Sequence, residues 1–466
     1  MTSAGAHAVP VATTPPEPKR KKKKRPLPKR LTSLDAYRGF IMTMLAASGF
    51  GIAKLAGLPP ENEVWTTFDY DAFERLQFHF THPQWVSIVG VAGVSFWDLI
   101  QPCFMFMVGV AMPFSYSRRE QMGRSSVRRT LHALWRAIIL VLLGVFLYSL
   151  SQPRTNWIFT NVLAQIGLGY FFVYLLLRFR PAVQLAAVAA ILVGYWGLFV
   201  LNPPPADYDY AAVGADPTAD GQDREVFEGR FAPWSKNAHV GHFFDVWLLN
   251  QLRSPTEDGQ RIDPPDENDG PLAYVKYWWF SSPERFEFNK GGYVTLNFVP
   301  SMATMLLGVL CGQLLLSNQS TQRKILLLLC WAAISLTLGV LAHHSVCPIV
   351  KRIWTPSWAL FSGGYAIGLL VLFYLLFDVL PLQKLAFPLV VVGMNSIVMY
   401  MLGQMLRPWV TNKVVQTHFG NLLVTIFGPS ALSYEGMGAI ILPTAAFVVF
   451  WLIAFWMYRN RYFVRI

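Results

Sequence analysis

The sequence predicts an all-α polytopic membrane protein, about ten transmembrane helices with one long exoplasmic insert, and three observations carry that prediction. Of its 466 residues, 53% are hydrophobic and only 14% are charged, whereas a soluble globular chain is nearer a quarter charged. Apolar runs long enough to cross a bilayer recur roughly ten times. Lipid offers no partner to an open sheet edge, so runs of that length must be helices. Lastly, the loops between the runs alternate in Lys and Arg content, as loops on two sides of a membrane do. The 16 Trp, 34 Phe and 18 Tyr suit many membrane–water boundaries.

The predicted spans follow in order. The first covers Ala36–Leu55 and the second Ser95–Tyr116, then come Leu134–Leu150, Ile158–Leu177 and Val183–Leu201. After the insert come Tyr293–Leu316, Ile325–Ala342, Trp358–Leu380, Leu385–Leu406 and Ile440–Tyr458. With the N-terminus inside, the interior loops hold Arg118, Arg119, Arg124, Arg128 and Arg129, then Arg178 and Arg180, then Arg323 and Lys324, and the tail adds Arg459, Arg461 and Arg465. This bias puts both termini in the cytoplasm. The chain divides into a basic disordered cytoplasmic tail (1–30), helices one to five (31–201), the exoplasmic insert (202–292) and helices six to ten (293–466).

Much of the net charge of +12 sits in one run, Lys19–Arg30, directly before the first span. That position fits retention on the cytoplasmic side rather than nucleic-acid binding. A cleaved signal peptide would start its apolar core much nearer Met1. Cys103, Cys311 and Cys330 fall inside apolar runs and read as buried small hydrophobes, with no disulfide frame and no zinc spacing involving Cys347. The insert is acidic and loop-like, with a helix expected near Phe243–Leu252 and the aromatic run Tyr277–Phe280 expected at the membrane surface. Gly308/Gly312 and Gly364/Gly368 permit close helix contact.

Ionisable groups within spans are costly unless paired or facing a cavity, so they are the first functional candidates. Asp35 and Arg38 open the first span, Asp98 lies in the second, His132 and Arg136 open the third, and Asp378 closes the eighth. Interfacial anchoring or a local ion pair is the plainer reading of Asp35, Arg38, Arg136 and Asp378. Asp98 is deeper, and Pro102 four residues later frees a backbone carbonyl and bends the helix. Asn161, Gln165, Asn297, Asn395 and Gln404 add uncharged polar groups. His79 and His82 lie in FHFTHPQW, an aromatic stretch leading into the Asp98 helix. A neutral imidazole there has the chemistry to deprotonate an amine or hydroxyl, or to carry an acyl group briefly.

The opening RLTSLDAYRGFIM, a His-x-x-Trp and WDLIQPCFMFMVG together resemble the heparan-α-glucosaminide N-acetyltransferase family and its bacterial relatives. Further matches follow collinearly: NVLAQIGLGYFFVYLL (161–176), GGYVTLNFVPSMATMLLGVLCGQLL (291–315), KRIWTPSWALFSGG (351–364) and PLVVVGMNSIVMYM (388–401). The resemblance covers most of 31–405, and omits the tail, the insert and the chain beyond Gln404. It implies a multispanning acyltransferase that takes an acetyl group from cytosolic acetyl-CoA and delivers it across the membrane. It further implies His82 as the active-site histidine with Trp85 as its motif partner. His79 is the register alternative, because the stretch from His82 to Asp98 is longer than in the family. An asparagine that family members carry late in the first span is replaced here by Ser48 or Gly49.

The expectation is therefore acyl transfer to an amine or hydroxyl of a saccharide-like acceptor, a glycan or envelope saccharide, in the plasma or inner membrane. Arg38, Arg118, Arg119, Arg136 and the neighbouring arginines form an electropositive mouth for the phosphates of acetyl-CoA. Asp98 joins His82 as the expected catalytic pair, Trp85, Asn297 and Asn395 line the acceptor end, and no metal is called for. An oligomer is left open. Two alternatives stay in play: a secondary transporter or flippase, against which the absence of evident broken helices counts, and an inactive membrane scaffold.

Overall fold

The computed structural model describes residues 30–83, 85–254, 264–266 and 268–464. The tail expected at 1–30 lies outside the described residues apart from Arg30, as do Arg465 and part of the acidic segment 263–270. Helices α1 (Thr32–Ala46), α2 (Ile52–Ala56), α3 (Tyr70–Gln77), α4 (Phe96–Gln121), α5 (Ser126–Ser149), α6 (Val162–Leu176) and α7 (Pro181–Val200) form the first half. Two short helices, α8 (Val240–Gln251) and α9 (Pro271–Trp279), lie in the insert. Then follow α10 (Phe298–Leu316), α11 (Thr321–Ser345), α12 (Pro356–Tyr374), α13 (Phe387–Met394), α14 (Ser396–Met405), α15 (Arg407–Trp409), α16 (Thr417–Phe427) and α17 (Gly438–Arg459). Among the described residues the only β pairing is an isolated bridge between Val89 and Gly93.

Among the described residues seven helices are long and apolar enough to cross a membrane, or up to nine if each of two bent pairs is one span. The fourth expected span is the 15-residue α6, shorter than that standard. One bent pair is the first span, Thr32–Ala46 with Ser48–Ala56 at 49°, and the other is Gln383–Met394 with Ser396–Met405 at 68°. The sequence shows no evident broken helices in matching halves, and the structure adds these two bends. At the first break the backbone turns left-handed over four residues, Ser48 (φ 51°), Gly49 (φ 60°), Phe50 (φ 56°) and Gly51 (φ 72°). L-residues resist that conformation by roughly 1–2 kcal/mol each, so the helix cannot run through. The two broken spans pack against each other, α1 on α13 and α14.

One tight seam joins α4 to α10. A Cβ on Gly308 would run into the Phe106 carbonyl, and one on Gly312 into the Val110 carbonyl, so both sites demand glycine for backbone contact. Gly364 is similarly close to α11, whereas Gly368 faces open space. The outer helices are apolar on every side because lipid is their solvent. Leu326, Leu329, Ile334, Leu338 and Leu341 of α11 all point outward. For the same reason Cys330 is exposed on α11, not buried as its apolar context suggested, while Cys103, Cys311 and Cys347 are buried.

α1 and α4 run in opposite directions. Gly49, past the end of α1, lies against Phe80 and Trp97 at the start of α4. Asp98 at one end of α4 and Arg118 at the other are thus roughly 30 Å apart along the axis at 1.5 Å per residue. The expected helix in the insert is α8, and the chain before it reaches the Asp98 end, where the Trp234 carbonyl accepts from buried Trp85. The helical stretch from Arg407 to Phe427 was not foreseen.

Candidate active site

The loop after α3 brings His82 to the mouth of α4. Ser95 caps α4, its Oγ accepting from the Trp97 amide at 3.2 Å and donating to the Thr81 carbonyl at 2.6 Å. That double contact ties the histidine loop to the helix start. The result is a 2.6 Å contact between His82 Nδ1 and Asp98 Oδ1. Asp98 also accepts from Lys351 Nζ at 3.0 Å, and Lys351 lies 3.2 Å from His82 Nδ1. Lys351 is 4% exposed and Asp98 3%, against 39% for His82. A buried carboxylate and ammonium persist only as a pair, and this pair shares its carboxylate with the imidazole.

With Nδ1–H donated to Asp98, the ring is held in one tautomer and Nε2 keeps its lone pair. No hydrogen bond to Nε2 is seen among the described residues. Desolvation lowers the His82 pKa below its ordinary value, the Asp98 hydrogen bond opposes this, and the Lys351 and Arg352 charges add to the lowering. The imidazole is therefore neutral at pH 7, the form that a base or nucleophile requires.

Arg352 braces the same loop, donating to the Pro83 carbonyl and to the Gly291 carbonyl of the insert, each at 3.0 Å. Asn297 holds the Arg352 carbonyl through Nδ2 at 2.7 Å. The Lys351 amide donates to Ser87 Oγ at 3.0 Å, and the Ser87 amide to the Ile349 carbonyl at 2.9 Å. Trp85 is fully buried beneath the insert and donates Nε1 to the Trp234 carbonyl at 3.0 Å. His82, Trp85, Asp98 and Asn297 are thus gathered at one end. His79 meets the ring of neighbouring Phe78 edge-on and has no contact with Asp98 among the described residues.

Behind this cluster lies a second buried polar layer. Asp245 of α8 accepts the Thr295 amide at 2.9 Å, and burial drives its pKa up to about 7 against that bond. Burial holds His239 down to about 3 and His242 to about 4. His239 Nε2, Asp245 Oδ1, Thr295 Oγ1 and Asn297 Oδ1 have no hydrogen-bond partner among the described residues.

The arginines lie toward the other end. Arg38 binds Asp35 at 2.6 Å, and Arg30 also reaches Asp35 at 2.6 Å. Asp378 accepts the Thr32 and Ser33 amides at 3.0 Å, capping α1. These are the local pairing and anchoring that the sequence suggested. Arg38 and Arg136 nonetheless line one intramembrane cleft with Phe104, Met112, Ser115 and Ser396. Arg136 also sits 4.9 Å over the Tyr170 ring. Arg118 and Arg119, in the last turn of α4, do not line that cleft. Asn395 is remote from His82: at the second helix break it donates to the Tyr462 carbonyl and accepts from the Val464 amide, both at 3.1 Å.

Among the described residues no group of three or more His, Cys, Asp or Glu is arranged to hold a metal ion. Lys351 and Arg352 escaped the sequence reading, although they open the quoted KRIWTPSWALFSGG. A lone basic pair at the head of a span reads as an interfacial anchor, and the informative signal, burial of Lys351, exists only in three dimensions.

Residues 64–256, which contain His82, Trp85, Asp98 and α4 to α8, match the family model for the catalytic region of heparan-alpha-glucosaminide N-acetyltransferase. The family likeness stands. Human heparan-alpha-glucosaminide N-acetyltransferase is 22% identical over 414 residues, covering 80% of this chain and 52% of the human protein. The chain therefore spans about half the length of that curated relative. Arg38, Asn297, Lys351 and Asn395 lie outside the 64–256 region matched to the family model.

Proposed function

We propose that the chain is a transmembrane acyltransferase that passes an acetyl group from acetyl-CoA, entering at the arginine end, to an amine or hydroxyl of a saccharide-like acceptor at the His82 end. The observation that carries this reading is the His82–Asp98–Lys351 cluster: a half-exposed imidazole, oriented through Nδ1 and kept neutral, facing out from a buried ion pair. The family likeness supports acyl transfer as its chemistry, and the charge bias supports a cytoplasmic position for the arginine end.

Two routes use the same residues. As a base, His82 Nε2 takes the acceptor proton while the acceptor attacks the thioester carbonyl, the carbon–sulfur bond breaks and the coenzyme thiol leaves with a proton. As a carrier, Nε2 itself attacks the thioester carbonyl, the carbon–sulfur bond breaks and the coenzyme leaves as thiolate, and the acceptor then displaces the imidazole from the acetyl carbon, releasing its proton to solvent. In both, Asp98 holds the ring and stabilises positive charge on it, while Lys351 holds Asp98 ionised. Arg38 and Arg136 would meet the phosphates. Their cleft encloses only about 50 Å³, so the donor's arm needs the lining side chains to part.

The test is transfer of labelled acetyl from acetyl-CoA by the purified protein in liposomes to a panel of amino and hydroxyl sugars. Wild-type transfer that His82→Ala abolishes and His79→Ala leaves intact supports the reading, and full activity of His82→Ala removes it. Mass spectrometry of the protein after exposure to acetyl-CoA alone separates the routes, since only the carrier route leaves an acetyl group on the chain.

The second reading, a transporter or flippase, gains from the two abutting broken spans, because broken helices build midplane sites in transporters. Substrate flux in proteoliposomes without consumption of acetyl-CoA would favour it.

A further inference from the structure

At the arginine end, and separate from the cleft of Arg38 and Arg136, a cavity of about 540 Å³ opens between the C-terminal turns of α4, α6 and α10 and the first turn of α5. That volume suits a small-molecule group. Its charged lining is Arg129, Arg178 and Glu120, a net charge of +1, with hydroxyls from Ser117, Ser126 and Tyr174 around them. Arg178 has no carboxylate partner among the described residues; Tyr174 Oη receives its guanidinium at 2.7 Å, and Thr130 Oγ1 receives it as well. A guanidinium fixed by neutral hydroxyls keeps its charge unneutralised, pre-organised for an anion.

Arg129 is 20% exposed, and its one carboxylate partner is Glu120 at 3.2 Å, itself 69% exposed, a weak and solvent-screened contact. Arg129 Nε is buried without a hydrogen-bond partner, and so is Gln313 Oε1 on the opposite wall. Buried donors and acceptors are rarely left so, and those lining a cavity mark where a ligand or water completes the set.

We infer that this cavity is a phosphate-binding site, with Arg129 and Arg178 as its paired donors and the surrounding hydroxyls completing the shell. Paired guanidinium forks match phosphate oxygens better than point charges do. The phosphate has two sources, an anionic phospholipid headgroup or the nucleotide of coenzyme A. The inference does not rest on acyl transfer and would hold for a transporter or a scaffold.

The experiment measures thermal stabilisation and equilibrium binding of the purified full chain with three probes: inorganic pyrophosphate, coenzyme A, and nanodiscs of phosphatidylglycerol against phosphatidylcholine. The expected result is pyrophosphate binding weakened at least tenfold by Arg129→Gln and by Arg178→Gln, and unchanged by Arg323→Gln elsewhere on the same end. Loss of the phosphatidylglycerol effect in those two variants, with coenzyme A binding intact, assigns the lipid; the reverse assigns the nucleotide. Ser126→Asp guards against misfolding. Ser126 is exposed, and a carboxylate in the first turn of α5 stabilises that helix while repelling an anion in the cavity. Binding of all three probes as in wild type by Ser126→Asp and by either folded arginine variant would overturn the site.

Discussion

The two ends of the bundle are built on opposite principles. At the His82 end charge is buried and shared: Asp98 serves Lys351 and His82 together, Arg352 is spent on two backbone carbonyls, and the insert covers Trp85. At the arginine end charge is plentiful and much of it half-exposed, held by neighbouring hydroxyls, an aromatic ring and the surface carboxylate Glu120, with Asp35 the one buried partner named there. Burying charge is affordable only where every partner is fixed, so one end is suited to positioning a reacting group and the other to capturing an anion from water. Electrostatic capture tolerates loose geometry, whereas proton transfer does not.

This contrast can be broken most decisively at His82. His82→Ala should lower kcat for acetyl transfer by roughly 10²–10⁴-fold, with binding of coenzyme A unchanged; loss of binding instead would mean that the two ends are not separable. Arg136→Gln should do the converse, raising the KM for acetyl-CoA about tenfold, the equivalent of one charge-assisted hydrogen bond, with kcat little altered.

Lys351 sharpens the comparison through pH. The active imidazole is neutral, so activity rises as pH climbs through the His82 pKa, which burial and the neighbouring cations hold low. Lys351→Met removes a cation that disfavours imidazolium, and the acid limb of kcat should move to higher pH. Lys351→Arg keeps the charge and should leave the limb in place. A profile unmoved in the Met variant would reduce Lys351 to packing.

The smallest effect is expected at Asp245. Its pKa is about 7 in the folded protein and near 3.8 unfolded, so the folded state holds the extra proton between those values. Stability from this group is present below the unfolded value and is lost as pH rises through the window. Asp245→Asn, which still accepts the Thr295 amide, should flatten that decline and raise Tm at pH 8 by a few degrees. His239 and His242, with lowered pKa values, contribute the opposite slope on the acid side. A scan from pH 5 to 8 of wild type against the variant checks this.

Much of this architecture was legible in the sequence because membrane insertion is a local criterion: each long apolar run is a helix whatever surrounds it. His82 and Asp98 were legible for a related reason, being 16 residues apart at the head of one span. Lys351, which completes the cluster, lies 253 residues beyond Asp98, and nothing local distinguishes a catalytic-end lysine from an interfacial one. The insert was read as a loop because the contacts that fix it to the bundle, such as Trp234 on Trp85 and Asp245 on Thr295, are long-range. The helix from Arg407 to Phe427 was missed because Arg407, Lys413 and His418 interrupt its apolar run. The first break did carry a signal: SGFG at 48–51 supplies two glycines where the backbone turns left-handed. Nothing comparable marks Asn395.

The outward-facing thiol on α11 has a practical consequence. Cys330 is exposed midway along an apolar helix, while the other three cysteines are shielded. A lipid-soluble maleimide or nitroxide should therefore attach at one position in the unmodified protein, giving a depth gauge for the bilayer and a ruler to its neighbours without a cysteine-free background.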